Sequence, residues 1–191
     1  NPFSGILQNV ILAKDLLTKY FPEKNAELNF QDFKLGDKSI PFKVLAILSG
    51  KDLAGTRYEQ LLPFAKPTDG DAFKVIIGDF VTTTDGTGIV HTAPPFGADD
   101  AKVAAEAGVP ALLIQDEKGN LVPLVDLQGR FRPEVTDFAG MYVKNEYYDD
   151  GTAPERSADV QIAIKLKEEN RAFKVEKYEH NYPHCWRTDK P

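Results

Sequence analysis

The chain has 191 residues, 42% hydrophobic and 27% charged, a balance that allows one domain with a sizeable core and excludes a disordered or fibrous chain. A net charge of −6 and a pI near 5.1 argue against nucleic acid held on a broad basic face, leaving open a local basic patch or contacts supplied by a larger protein. No signal pattern opens the chain, no apolar run approaches the roughly 20 residues of a membrane helix, and the single Cys185 excludes an internal disulfide framework, so a cytoplasmic protein with no membrane partner is expected.

The only methionine is Met141, so the expectation is a chain cut from something longer. Residues 5–12, GILQNVIL, read as a strand, and Leu16, Leu17, Tyr20 and Phe21 then recur at helical spacing before Pro22. The runs FKVLAIL (42–48) and FKVIIGDF (73–80) are strand-like in β-branched and aromatic content. Between them GTRYEQLLPF (55–64) reads as an ordered connection stopped by Pro63.

A turn at Asp85-Gly86 leads into a predicted strand from Thr87 to Thr92, and Pro94, Pro95 and Gly97 then swing the chain into a helix, ADDAKVAAEAG. Val103, Ala104 and Ala107 give that helix an apolar stripe, with Gly108 placed to end it. ALLI (111–114) and NLVPLVD (120–126) flank the turn DEKGN and predict a strand pair. TAPERSADVQIAIKLKEEN, from Thr152, predicts a helix with a proline in its first turn, and AFKVEKYEH (172–180) a closing strand. No internal repeat is visible. Without a regular βαβ rhythm the expected class is α+β and sheet-dominated, a curled or barrel-like β-sheet with about three peripheral helices.

The stretch DGTGIVHTAPPFGADD, 85–100, concentrates the candidate chemistry. Gly86 and Gly88 make only a weak phosphate signal, because a β run and not a helix follows them, and a tight turn explains them better. His91, taken alone, is more often a packing or surface residue. Asp99 and Asp100 fall in the first turn of a helix, where free N–H groups and the dipole favour ionised carboxylates. Capping accounts for one aspartate and does not require two. An imidazole at a strand end facing a carboxylate at a helix start suits recognition of an amine-bearing ligand better than proton abstraction. Nucleophile-elbow, P-loop, zincin and C-x-x-C motifs are all missing. His184 and Cys185 are adjacent on an extended tail with no second cysteine to complete a zinc site, so no metal is expected there.

GTGIVHTAP with FGADD, GTRYEQLLPF upstream and NYPHCWR at the end resemble the editing domain of isoleucyl-tRNA synthetase, a class I insertion shared in outline with the valyl and leucyl enzymes. The resemblance covers nearly the whole chain and implies a single editing domain over 1–191. The implied activity is hydrolysis of the ester of valyl-tRNA for isoleucine, and of the mischarged adenylate, in the service of translational fidelity. One methylene in an apolar pocket is worth only about 1–3 kcal/mol, a general figure for which this enzyme class is itself the standard example, so a second sieve is needed.

By that resemblance Asp100 grips the substrate α-ammonium, and His91 stands beside the side chain and ester, excluding isoleucine and helping to place water. Gly86, Thr87 and Gly88 complete the implied substrate-binding set. No cofactor is implied for editing, with water the nucleophile and ATP and magnesium belonging to the synthetic domain outside this chain. The implied partners are the 3′ end of the tRNA for isoleucine carrying a non-cognate amino acid, and the remainder of the synthetase. One departure stands out: the family's threonine-rich segment, a Thr-Thr-Thr-Pro-Trp type run, does not precede the block, and Thr82 to Thr84 lie in the wrong context to replace it. The alternative is therefore a binding or structural insertion that keeps an amino-acid pocket without turnover.

Overall fold

The computed structural model describes residues 1–67 and 69–177. They divide into two compact units, one of residues 1–60 with 69–111, the other of residues 61–67 with the described chain from 112 onward.

In the first unit a 3-10 turn, Lys14–Leu16, runs into a short helix α1, Leu17–Tyr20. Leu16 and Phe21 are buried, and the Phe21 ring meets Phe42 at 5.2 Å, so the predicted helical spacing does bury one face. Further 3-10 turns follow at Glu23–Glu27, Phe30–Asp32 and Gly50–Leu53, the last closed by a capping box between Ser49 and Asp52. Helix α2, Ala98–Glu106, buries Val103 and Ala104 as its stripe predicts. Gly108, at φ +63°, donates to Ala105 O while Val109 donates to Ala104 O, the left-handed ending that glycine permits.

The four strands predicted in this unit do not form a sheet. Their one ladder contact among the described residues is an isolated bridge between Arg57 and Lys74, flanked by ion pairs from Arg57 and Lys74 to Asp71. The run 73–80 breaks because Asp79 and Phe80 make a turn, Val81 N–H donating to Gly78 O at 3.2 Å as the Phe80 ring folds over Gly78. The run 87–92 starts inside a turn instead of a strand, since Gly86 and Gly88 both hold positive φ. Runs 5–12 and 42–48 form neither helix nor strand and join no ladder among the described residues, with Leu7 and Ile47 each 75% exposed. β-propensity reports fit to a neighbouring strand, and here no neighbour supplies the ladder.

The second unit holds the one sheet among the described residues, β1 Ile114–Gln115 paired antiparallel with β2 Leu121–Val122, where the strand pair was expected. Its turn is built by Asp116, whose Oδ1 accepts the N–H groups of Lys118 and Asn120 while Gly119 donates back to Asp116 O. Ten residues on the same device recurs: Asp126 Oδ1 accepts from Gln128 and Arg130, and Gly129 donates to Asp126 O. This tandem pair of D-x-x-G turns is a short repeat that sequence inspection passes over.

Phe138, buried with Val135, packs between Phe64 at 5.9 Å and Phe131 at 6.0 Å. Helix α3, Ala158–Glu168, begins later than predicted, because Ser157 is the cap, its Oγ accepting Val160 N–H. Thr152 instead donates its hydroxyl to Asp149 O and closes a turn, which leaves Pro154 outside the helix. The closing strand is not formed over residues 172–177, and its remaining residues 178–180 lie outside the described ones. Among the described residues the architecture is α+β, with three helices and a two-stranded sheet. It is neither sheet-dominated nor curled or barrel-like among the described residues, since the runs that would close such a sheet stay unpaired.

Candidate functional site

Every predicted site residue lies in the first unit. Gly86 and Gly88 stand at φ +60° and +76°, so the chain turns twice within three residues where an L side chain would be strained. The turn is fastened to the segment 13–20. Ala13 N–H donates to Thr87 O at 2.7 Å, Tyr20 Oη to Gly86 O at 2.6 Å, and Lys19 Nζ to Asp85 Oδ1 at 3.3 Å. Gly88 rests directly on Ala13: a Cβ built on it comes to 2.5 Å from the Ala13 Cβ.

His91 is exposed on the extended chain that leaves this turn. Two residues later, Ala93 to Phe96 form a turn through the double proline, Phe96 N–H donating to Ala93 O at 2.9 Å. Helix α2 starts at once, with Gly97 as a cap that lacks any side-chain bond and Asp99 and Asp100 in the first turn. Asp100 folds back over Gly97 and accepts the Ala93 N–H on Oδ2 at 3.1 Å, partly buried. Among the described residues Oδ1 takes no hydrogen bond. The structure thus ties Asp100 to the end of the run that carries His91, while Asp99 stays exposed.

One carboxylate oxygen anchored and the other open, at a helix N-terminus, is an arrangement that accepts hydrogen bonds from a cation. Thr82 to Thr84 are exposed, with Thr83 Oγ1 donating to Asp15 Oδ2 at 3.0 Å and Thr84 Oγ1 to Thr82 Oγ1 at 3.1 Å. No group of three or more His, Cys, Asp or Glu residues able to hold a metal occurs among the described residues, and His184 and Cys185 lie outside them. No described helix is long and apolar enough to cross a membrane.

No protein-family profile matches the chain. Individual relatives do. An isoleucine–tRNA ligase of Cytophaga hutchinsonii is 58% identical across the whole chain, which spans 18% of that protein. The isoleucine–tRNA ligase of a Bacteroides fragilis strain is 50% identical, again across the whole chain and 18% of its own length. That of Treponema denticola is 37% identical over 95% of the chain and 14% of its own length. The chain belongs to the isoleucine–tRNA ligase family. It spans under a fifth of the length of these relatives.

Two features of this isoleucine–tRNA ligase segment escaped sequence reasoning. The first is the clamp that Ala13 and Tyr20 place on the glycine turn, for which the local sequence carries no signal. The second is an open cavity of about 480 Å³ in the other unit, lined by Phe138, Arg156, Gln161, Ile164, Lys165 and the carboxylates of Asp137 and Glu168. None of the predicted site residues lines it. Lys165 there pairs with Asp137 at 2.9 Å and Glu169 at 2.7 Å, and those two carboxylates, Glu169 first, push its pKa up to about 12.

Proposed function

We propose that this segment is the editing domain of an isoleucine–tRNA ligase, hydrolysing the ester of valyl-tRNA for isoleucine and acting on the mischarged adenylate as well. The observation that carries the proposal is Asp100, anchored through Oδ2 to Ala93 N–H at the first turn of α2 with Oδ1 open. A substrate α-ammonium is the cation that such a carboxylate selects in an aminoacyl ester. His91, exposed nine residues earlier in sequence, borders the side chain and ester, and the turn Gly86–Thr87–Gly88 offers its Thr87 and Gly88 N–H groups to the 3′ end, the N–H and C=O of Gly86 being used within the fold.

Water is the nucleophile, and no cofactor takes part. ATP and magnesium belong to the synthetic reaction of the whole enzyme, whose remaining chain and tRNA for isoleucine are the partners in the cytoplasm. A second reading, an insertion that binds the aminoacyl end without turnover, is favoured by one observation: the His91 imidazole has no hydrogen-bond partner among the described residues to orient it as a base.

The test is deacylation of valyl-tRNA by this chain, and by a full-length isoleucine–tRNA ligase carrying it in place of its own segment, each beside Asp100→Ala. Release of valine that falls with the substitution supports editing. Binding of a hydrolysis-resistant valyl-adenosine amide without release in either context selects the second reading, and neither binding nor release sinks both.

A further inference from the structure

The turn at Gly86–Gly88 is held by its carbonyls. Gly86 C=O is taken by Tyr20 Oη and Thr87 C=O by Ala13 N–H, both at or below 2.7 Å, and both partners come from the same segment. A trans peptide sets its N–H opposite its C=O. The Thr87 and Gly88 N–H groups are therefore turned away from the clamp, and neither donates a hydrogen bond among the described residues. Gly86 N–H and Ile89 N–H, on either side, are both spent within the turn, on Asp85 Oδ1 and Thr87 Oγ1. Thr87 is exposed and Gly88 half-buried, and two successive N–H groups beside positive-φ glycines are the kind of donor pair that holds a negatively charged oxygen.

We infer that the Thr87 and Gly88 N–H groups receive the ester carbonyl oxygen of the aminoacyl substrate as it becomes an oxyanion, and that Tyr20 is the positioning residue that aims them. The inference rests on the editing reading of this same site. Water oxygen bonds to the carbonyl carbon as the C=O π pair moves onto the carbonyl oxygen, where the two N–H groups meet it. Collapse restores the C=O and breaks the ester bond, and the leaving ribose oxygen takes the proton the water gives up. Donors of this kind act on the transition state more than on bound substrate, so their disturbance lowers kcat and leaves KM nearly unchanged.

Tyr20→Phe removes only the hydroxyl. Its kcat for valyl-tRNA deacylation should fall by about fivefold, the equivalent of one neutral hydrogen bond, with KM within about twofold and the melting curve close to wild type. In parallel, the wild-type chain is titrated with the valyl-adenosine amide while its backbone amides are followed by NMR. Downfield shifts at Thr87 and Gly88, weakened in Tyr20→Phe, support the donor pair even if hydrolysis is absent. Unchanged kcat in Tyr20→Phe, or a rise in KM alone, overturns the donor role and leaves editing standing. No hydrolysis and no amide shift in the wild type overturns both.

Discussion

Asp100 and Ala93 are joined by a partly buried hydrogen bond of 3.1 Å, backbone N–H to carboxylate, that spans the double proline and closes the start of α2 onto the chain leaving His91. The same carboxylate is the proposed ammonium acceptor, and the two roles separate by substitution. Asp100→Ala loses both and should cost about 1.5–3 kcal/mol of stability, the range for a hydrogen bond to a charged group. Asp100→Asn keeps an acceptor for Ala93 and should melt near wild type, yet lose most affinity for valyl-adenosine amide. Calorimetric titration beside thermal melting checks it, and an Asn variant that binds as well as wild type removes the ammonium role.

His91 is exposed and unbonded among the described residues, so His91→Ala should change stability by less than about 0.5 kcal/mol. Any effect on valyl-tRNA deacylation then reports chemistry or selectivity instead of folding. A large loss of stability would place the imidazole in a packing role.

Gly88 is required twice over, by its φ of +76° and by the Ala13 methyl lying where its own Cβ would go. Gly88→Ala should destabilise by about 2–5 kcal/mol, the sum of left-handed strain and overpacking. Adding Ala13→Gly should recover the overpacking part only. A double variant no more stable than Gly88→Ala in a urea melt would show that the two residues do not touch.

The tandem turns allow a cleaner comparison. Gly119 and Gly129 share the same conformation, at φ +80° and +82°, but open space faces Gly119 while the Tyr147 ring lies 2.6 Å from a Cβ at Gly129. Alanine should cost about 1 kcal/mol at 119 and at least twice that at 129. Equal costs in denaturant melts would exclude the Tyr147 contact.

The charged groups set the pH limits. Asp116 is held below its ordinary value of 3.8, chiefly by the Asn120 N–H, and Asp137 is held below it by its hydrogen bond from Lys165. A carboxyl with a lowered pKa contributes stability above 3.8 that disappears as pH falls through its folded value. Lys165 runs the other way, its contribution complete below 10.5 and lost as pH rises through about 12. Asp116→Asn keeps an acceptor for the turn but cannot titrate, so melting temperatures measured from pH 5 to pH 2 should fall less steeply than in wild type.

Features that depend on neighbours along the chain were legible in the residues themselves. The stripe of Val103, Ala104 and Ala107 with Gly108 behind it marked α2, the DEKGN turn marked the β1–β2 pair, and Asp100 stood in a first helical turn because glycine and two prolines precede it. The motif block also pointed to the family that the relatives bear out. Even the misplaced start of α3 was a local competition, won by Ser157 because its hydroxyl reaches Val160 N–H.

Strand pairing was not legible, because a β run such as FKVLAIL carries its propensity in its own residues but its hydrogen bonds in another segment. Nor was the clamp, since Ala13 and Gly88 are 75 positions apart and Tyr20 and Gly86 are 66. Local sequence determined where this chain turns, caps and coils, because those choices are settled by torsions and hydrogen bonds within a few residues. Which carbonyls of the glycine turn are consumed, and so which N–H groups face outward, was decided only when distant segments met, because a peptide plane has no preferred facing until a partner takes one of its sides.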